Sequence, residues 1–289
     1  MTNNDLTKSP FEKVISDVII ANKTRNSLEG DDYLNDEECL MCGKCHTPKQ
    51  VSIPNPICRL KKIPEEYIKV RCACKCEQER EKRIAHLKRV ESLKRYAFED
   101  REYEKMIFDF DDDPNSKASN ISKNYVKKWE EMKKNNIGLM FYGSVGTGKT
   151  FYSACIANAL LEKEVSVYMT NVPSLISSLS KNFGEDSDRV LQKVAAVSLL
   201  ILDDVGIERD TEFSLEKFQE IVDTRYRSKK PTIISTNLAL EQFSNNENLR
   251  YQRIYSRITE MSYPVEVTGY DRRLKIAAKK MQVIQECLF

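Results

Sequence analysis

The stretch that decides the fold is Gly143-Ser144-Val145-Gly146-Thr147-Gly148-Lys149-Thr150, which fits the pattern G-x-x-x-x-G-K-[ST] in full. It lies between an apolar run, Leu139–Tyr142, and a run with helical character, Phe151–Leu161. Glycines allow backbone N–H groups to converge on phosphate oxygens, and the N-terminus of the following helix adds positive potential. Lys149 neutralises charge on the β- and γ-phosphates, and the Thr150 hydroxyl is suited to ligate Mg²⁺. The stretch therefore predicts a strand, a phosphate-binding loop and a helix, in that order.

Two carboxylates end another apolar run, Leu199–Leu202, which continues into Asp203 and Asp204. A strand that ends in carboxylates is typical of the second element of a Mg²⁺–nucleotide site. Asp203 is the candidate to hold the ion or its water, and Asp204 is the candidate base for the water that attacks the γ-phosphate. This pattern is weak alone, but together with the phosphate loop it predicts a site for nucleotide hydrolysis.

Polar residues later in the chain are candidates to complete the site. Asn237 follows a predicted strand, where its amide either orients the hydrolytic water or begins an ordinary turn. Arg253 and Arg257 share one face of a predicted helix, which is either a solvated basic face or the source of an arginine that reaches a neighbouring subunit's γ-phosphate. Arg272 and Arg273 open the last predicted helix, from which one of them can reach the nucleotide of its own subunit.

Apolar runs alternate with amphipathic ones from Ile137 onward, which predicts an α/β fold with a mostly parallel sheet covered by helices on both faces. The predicted strands are Leu139–Tyr142, Val165–Thr170, Ser198–Leu202, Thr232–Ser235 and Pro264–Thr268. The predicted helices are Thr150–Glu162, Val172–Lys181, Ser187–Val194, Glu212–Ser228, Leu249–Met261 and Asp271–Cys287. Before them, the sequence predicts a loop over Asp109–Asn120 and a helix over Ile121–Lys134.

Cysteine is concentrated near the N-terminus, where 7 of the 9 cysteines fall between Cys39 and Cys76. Dense cysteine in a chain without secretory features indicates a metal site rather than disulfides. Cys42 and Cys45, two residues apart, are a usual half-site for tetrahedral Zn²⁺. The other half is expected from two of Cys72, Cys74 and Cys76, with Cys39, Cys58 and His46 in reserve. Zinc is favoured, although an iron–sulfur cluster also accepts a thiolate-only site.

Charge is nearly balanced, with 46 Lys+Arg against 44 Asp+Glu and a net charge of +2. No run approaches the roughly 18 apolar residues that a membrane helix needs, and acidic residues stand where a signal peptide would carry basic ones. We therefore expect a soluble, cytoplasmic chain with no membrane contact. Residues 250–280 nevertheless carry eight Lys/Arg and three Asp/Glu, an excess that either tracks a nucleic-acid backbone or forms a solvated surface.

In this order the motifs resemble those of AAA+ ATPases, and more narrowly those of the DnaC/DnaI-type replicative helicase loaders and of the IstB transposition ATPase. The resemblance covers residues 106–289 and implies a P-loop domain with a five-stranded parallel sheet. It implies that Lys149 and Thr150 are the Walker A residues and Asp203 the Walker B metal residue. Sensor 1, the arginine finger and sensor 2 then correspond to Asn237, Arg257 and Arg273.

The resemblance also implies cofactors and partners: ATP, Mg²⁺ and Zn²⁺, a replicative helicase, single-stranded DNA, and self-association on ATP binding. The cysteine-rich module looks like the N-terminal zinc region of such loaders. Two alternatives stay open, an IstB-like ATPase that assists a transposase, and an ATP-binding adaptor with little turnover. The second is kept open by Asp204, because many AAA+ proteins carry Glu at this position.

The expected organisation has four parts. Residues 1–37 form an N-terminal segment, residues 38–78 the cysteine-rich zinc module, residues 79–105 a charged helical linker and residues 106–289 the ATPase domain.

Overall fold

In a computed structural model of the chain, residues 30–55, 58, 66–181, 185–206, 211–244 and 248–288 are described. Residues 1–29 of the predicted segment 1–37 lie outside the described residues. The chain divides into two compact units, residues 1–87 and 88–289. The division falls inside the predicted linker helix, and the four-part organisation remains a prediction.

The first unit is small and loop-rich. It contains two antiparallel strand pairs. In one, β1 (Tyr33–Leu34) pairs with β2 (Leu40–Met41), and in the other, β3 (Gln50–Pro54) pairs with β4 (Tyr67–Arg71). Helix α1 (Lys75–Ala97) begins here and continues into the second unit. Among the described residues of this unit few apolar side chains are buried, while Cys42, Cys58 and Cys74 are at most 3% exposed. Thiols therefore occupy positions that hydrocarbon fills in a larger core.

The second unit contains the predicted five-stranded parallel sheet, which confirms the α/β fold class. Its strands are β5 (Gly138–Tyr142), β6 (Val167–Asn171), β7 (Leu199–Val205), β8 (Thr232–Thr236) and β9 (Ser262–Glu266). The spatial order is β6-β7-β8-β5-β9, and every neighbouring pair is parallel. The strand order reverses beside β5, since the chain leaves β5 and crosses to β6 at the far edge. The carboxyl end of a strand at such a reversal is where open α/β sheets bind ligands.

Helices cover both faces of this sheet. They are α2 (Lys117–Lys127), α3 (Trp129–Lys134), α4 (Lys149–Leu161), α5 (Val172–Lys181), α6 (Glu185–Ala196), α7 (Glu212–Ser228), α8 (Leu240–Ser244) and α9 (Leu249–Met261). The last helix, α10 (Arg272–Leu288), follows β9, and most of its described side chains are exposed. Successive side chains of β5 enter different cores: Leu139 and Phe141 pack with α2 and α4, and Met140 packs with α5, α7 and α9. This alternation is what a strand buried on both faces requires. Within the described residues, no helix is long and apolar enough to cross a membrane.

Some sequence predictions of local structure were wrong. The predicted single helix over Ile121–Lys134 is two helices that meet at Lys128, and the first begins at Lys117, inside the predicted loop. Ser116 causes the early start, because its hydroxyl accepts the backbone N–H of Ser119 and so caps the helix. Strand β7 also continues past the predicted end at Leu202 as far as Val205.

Candidate nucleotide site and cysteine cluster

The phosphate loop joins β5 to α4 at the carboxyl edge of the sheet. Gly143, Gly146 and Gly148 all have positive φ angles, of 133°, 78° and 107°. L-residues with a side chain rarely adopt such angles, so the glycines of the motif are required by the backbone path. At Gly146 a Cβ atom would also overlap the carboxylate of Asp271. Residues 143–148 thus curl into the loop that the motif predicts.

Lys149 lies inside this loop, where it is 5% exposed. Its ammonium donates hydrogen bonds to the carbonyl oxygens of Gly143 (2.9 Å) and Ser144 (2.7 Å). Burial lowers the pKa of Lys149, while the nearby carboxylates of Asp204 and Asp203 act against this shift. A buried cation with only carbonyl partners suits an incoming anion, because a phosphate oxygen is a stronger acceptor than a neutral carbonyl.

Thr150 and Asp203 meet beside the loop, as the sequence predicts for a Mg²⁺ site. The Thr150 hydroxyl donates to Asp203 Oδ1 at 3.0 Å. Asp203 is 3% exposed, and burial raises the pKa of its carboxyl group. A hydroxyl and a carboxylate side by side are the hard oxygen donors that Mg²⁺ prefers, so these residues fit the ion that the resemblance implies.

Asp203 also contacts two hydroxyls that were not predicted from the sequence. Ser235 of β8 donates to Oδ1, and Tyr103, from the segment before α2, donates to Oδ2 at 3.4 Å. Burial and the Asp203 carboxylate raise the pKa of Tyr103, which keeps its hydroxyl protonated as a donor. The position of Ser235 in a predicted strand could have indicated a contact with the carboxylates. Tyr103 gave no such signal, because it precedes Asp203 by 100 residues.

Asp204 and Asn237 lie near the loop on neighbouring strand ends. Asp204 has a positive φ of 54°, and its backbone N–H donates to Ser235 Oγ at 3.0 Å. This bend interrupts the regular pairing of β7 with β8, so the two adjacent aspartates do not continue a flat strand. Asn237 follows β8 and lines a cavity of about 390 Å³ that Gly143 and Ser144 also line. The structure therefore brings Asn237 to the loop, and the catalytic roles of both residues remain predictions.

The start of α10 is fastened to the phosphate loop mainly through Arg272. Its backbone N–H donates to the Gly146 carbonyl at 3.0 Å. Its guanidinium donates to Tyr152 Oη at 3.1 Å and pairs with Asp112 at 2.9 Å. Arg273, the predicted sensor, is exposed, and its charge contributes to the lowered pKa of Lys149. Both arginines of the predicted pair thus lie around the loop, and the assignment of the sensor to Arg273 remains a prediction.

Arg257 lies on a different surface. It forms an ion pair with Asp223 of α7, and its guanidinium lies 5.6 Å from the centre of the Tyr226 ring. With Gln252 and Arg253 it lines a cavity of about 520 Å³. These contacts of Arg257 lie on α7 and α9, and its role at the nucleotide of a neighbouring subunit remains a prediction.

Four cysteines of the first unit form one cluster. The sulfur atoms of Cys42, Cys45, Cys74 and Cys76 all lie within 4.8 Å of one another. A tetrahedral zinc with Zn–S bonds of about 2.3 Å places its sulfurs about 3.8 Å apart, and the Cys42–Cys76 and Cys74–Cys76 separations are 3.5 and 3.2 Å. The four thiols therefore fit a zinc ion. Cys72 lies outside the cluster, since its thiol donates to the Pro48 carbonyl at 3.6 Å.

The protein environment divides these four thiols into two kinds. Hydrogen bonds from the Thr47 hydroxyl and the backbone N–H of Cys76 lower the pKa of Cys45 to about 5, and backbone N–H groups lower the pKa of Cys42. The neighbouring sulfurs of Cys74 and Cys42 raise the pKa of Cys76 to about 12, and burial raises the pKa of Cys74. Four adjacent thiolates require a cation, so metal binding would release protons from the second pair.

The sheet order and the Lys149–Thr150–Asp203 arrangement define a P-loop nucleotide-binding protein of the AAA+ type. The match to a family model is consistent with this class, since the model of IstB-like ATP binding proteins matches residues 70–280. The chain belongs to that family.

Relatives in the same class carry names from DNA replication. The chain is 29% identical to the replicative helicase loader DnaI of Bacillus subtilis over 160 residues. This matched segment covers 52% of this chain and 51% of the relative. The chain is 31% identical over 118 residues to the replicative helicase loader DnaC of Escherichia coli K12, covering 40% and 48%. A crystal structure of DnaI superposes with a TM-score of 0.51 at 26% identity, over 61% of this chain and 96% of that one. The matched segment spans about half the length of these two curated relatives.

Proposed function

We propose that the protein is an ATP-dependent loader that places a replicative helicase on single-stranded DNA. The observation that carries the proposal is the contact between Thr150 and Asp203 beside the buried ammonium of Lys149. This arrangement is suited to Mg²⁺ and a nucleoside triphosphate. The names of the DnaI and DnaC relatives support the choice of helicase loading among the tasks that such a site can drive.

Nucleotide binding would rearrange the contacts of Lys149. Its ammonium would exchange the carbonyls of Gly143 and Ser144 for phosphate oxygens, and the N–H groups of the loop would face the same phosphates. Mg²⁺, when bound, neutralises charge on the β- and γ-phosphates. Asp204 is the proposed base for the attacking water, and Asn237 is proposed to orient it. Asp is one methylene shorter than Glu, which fits slow turnover and a switch-like role.

Self-association would complete the site. An arginine near the γ-phosphate stabilises charge in the transition state, and Arg257 already projects from α9 beside Arg253. To act on a neighbour's nucleotide, Arg257 would leave Asp223. The γ-phosphate of the neighbour's bound ATP would then replace the Asp223 carboxylate as its anionic partner. We therefore propose that ATP favours an assembly of several copies in which Arg257 contacts the next subunit.

The remaining surfaces are assigned to the partners by charge and position. The basic excess of residues 250–280 is proposed to contact the DNA backbone. The zinc module is proposed to contact the helicase, as the resemblance implies. A cytoplasmic location follows from this role and is part of the same proposal.

The proposal is tested by retention of the host replicative helicase on circular single-stranded DNA, with ATP and with no nucleotide. We expect the wild-type protein with ATP to increase the helicase retained, and the Lys149→Ala variant to leave it near the level seen without loader. Lys134→Ala, which removes an exposed lysine of α3, is the matched control and should behave as wild type. A wild-type protein that fails to raise retention, or a Lys149→Ala variant equal to wild type, would contradict the proposal.

Assistance of a transposase is the second candidate, favoured by the family match to IstB-like proteins. It predicts association with a transposase, and none with the helicase in either nucleotide state.

A further inference from the structure

A segment that precedes β5 runs from the middle of β6 to the carboxyl-terminal part of β7. We call it the brace (residues 98–106). Its start is fixed to β6, because Phe98 forms a parallel bridge with Met169. Glu99 then accepts hydrogen bonds from Tyr168 and Thr170, both at 2.7 Å. The brace is thus attached to the sheet by backbone and side-chain contacts together.

A second anchor holds the far end of the brace against α4. The side-chain amide of Asn158 donates to the carbonyl oxygens of Tyr103 (2.8 Å) and Met106 (2.9 Å). Between the anchors the chain makes a short 3₁₀ turn, Arg101–Lys105, capped by Asp100. These contacts set the backbone of Tyr103 from both sides, so the direction of its side chain is determined by the fold.

The Tyr103 side chain ends on the predicted Mg²⁺ ligand. Its hydroxyl donates to Asp203 Oδ2 at 3.4 Å, whereas Thr150 and Ser235 donate to Oδ1. The two oxygens of this buried carboxylate therefore have different partners. The oxygen held by Tyr103 is the one turned away from Thr150, so a contact there restrains the carboxylate without occupying the oxygen beside the other proposed ligand.

We propose that Tyr103 is a positioning residue for metal binding. By holding Oδ2, it fixes the rotation of the Asp203 carboxylate and keeps Oδ1 toward Thr150. A carboxylate that already has the bound orientation loses less rotational freedom when the ion arrives, which raises affinity for the metal. This inference rests on the nucleotide site of the proposed function, and it adds a residue from outside the loop and strand motifs.

Removal of the hydroxyl alone tests the proposal, because Tyr103→Phe keeps the ring that packs 6.3 Å from Phe98. The full-length protein is titrated with Mn²⁺ in the presence of ADP, and free Mn²⁺ is measured by electron paramagnetic resonance. We expect Tyr103→Phe to weaken Mn²⁺ binding by about three- to tenfold, the range for the net contribution of one ordinary hydrogen bond, because the contact is long at 3.4 Å. ADP affinity in EDTA should not change. Tyr96→Phe, at a tyrosine that is 66% exposed, is the control.

Three outcomes would overturn the inference. The first is a Tyr103→Phe variant with wild-type Mn²⁺ affinity. The second is equal weakening of Mn²⁺ binding and of ADP binding in EDTA, which indicates a general structural role. The third is a wild-type protein that binds no Mn²⁺ with ADP. A protein that binds Mn²⁺ as expected and yet does not retain the helicase on DNA refutes helicase loading alone.

Discussion

At the scale of single residues, Asp203 shows how folding and metal binding make opposite demands. Its carboxylate is buried, which is unfavourable for a charge, and three hydroxyls from distant parts of the chain compensate in part. The sign of the pH effect follows from the raised pKa. Between the unfolded value of 3.8 and the higher folded value, the folded chain binds more protons, so stability falls as pH rises through this window.

Asp203→Asn should therefore stabilise the metal-free protein at neutral pH while it abolishes Mg²⁺-dependent nucleotide binding. The neutral amide keeps an acceptor for Thr150 and Ser235 without a buried charge. We expect a higher Tm for the variant than for the wild-type protein, measured by thermal unfolding at several pH values. The gain should shrink as pH falls and the wild-type carboxyl group becomes protonated. Asp113→Asn, at an exposed position, should change neither property; a destabilised Asp203→Asn variant would show that the charge favours the fold.

Arg225 is another buried charge, and its contacts are structural. It is fully buried on α7, and all of its donors are used. The acceptors are the carbonyls of Val194, Val197, Ser198 and Pro231 and the hydroxyl of Thr232. These acceptors lie at the end of α6, just before β7, and at the start of β8. One side chain therefore aligns the amino ends of the two strands whose carboxyl ends carry the candidate site.

At the scale of elements, the start of α1 determines which cysteines join the cluster that could hold a metal ion. Cys72 follows strand β4 and directs its thiol to Pro48, whereas Cys74 and Cys76 lie where the chain turns into the helix. Thr47 supports this turn, because its hydroxyl accepts the backbone N–H of Lys75 at 2.9 Å. Equal spacing made the three cysteines indistinguishable in the sequence, and the strand-to-helix transition separates them.

The matched pair Cys76→Ser and Cys72→Ser tests this selection. Cys76→Ser should lose zinc, since a hydroxyl is a poor ligand for a thiolate site, and should destabilise the first unit. Cys72→Ser should retain one zinc per chain. Elemental analysis of the purified variants decides the matter. Retained zinc in Cys76→Ser, lost zinc in Cys72→Ser, or iron in the wild-type protein would each contradict the assignment.

Most elements near the site were predictable because their signals are local. Helices α5, α7 and α9 begin and end where the apolar periodicity predicts. The phosphate loop was predictable because its glycines have positive φ angles that few other residues tolerate. The extension of β7 beyond Leu202 was not predictable, since a pair of aspartates is typical of the end of a strand. Pairing of Asn171 with Asp203 continues the strand, which only the neighbouring strand can reveal.

At the scale of the whole molecule, contacts between residues far apart in the chain could not be predicted from the sequence. The resemblance implies a five-stranded parallel sheet, whereas the strand order β6-β7-β8-β5-β9 is known only from the structure. The brace and the Tyr103–Asp203 contact likewise depend on residues that are remote in sequence. The near-neutral net charge likewise conceals a local basic excess at residues 250–280. What connects these scales is the proposal that Lys149, Thr150 and Asp203 form one Mg²⁺–ATP site on each chain.

The measurement that tests this claim most directly is calorimetric titration of the full chain with ATP and Mg²⁺. The account predicts one site per chain, with affinity at least about tenfold weaker in Lys149→Ala, since a buried charged contact of more than 1.4 kcal/mol is lost. Lys134→Ala should bind as wild type. Absence of binding to the wild-type protein, or the same affinity in all three proteins, would contradict the account.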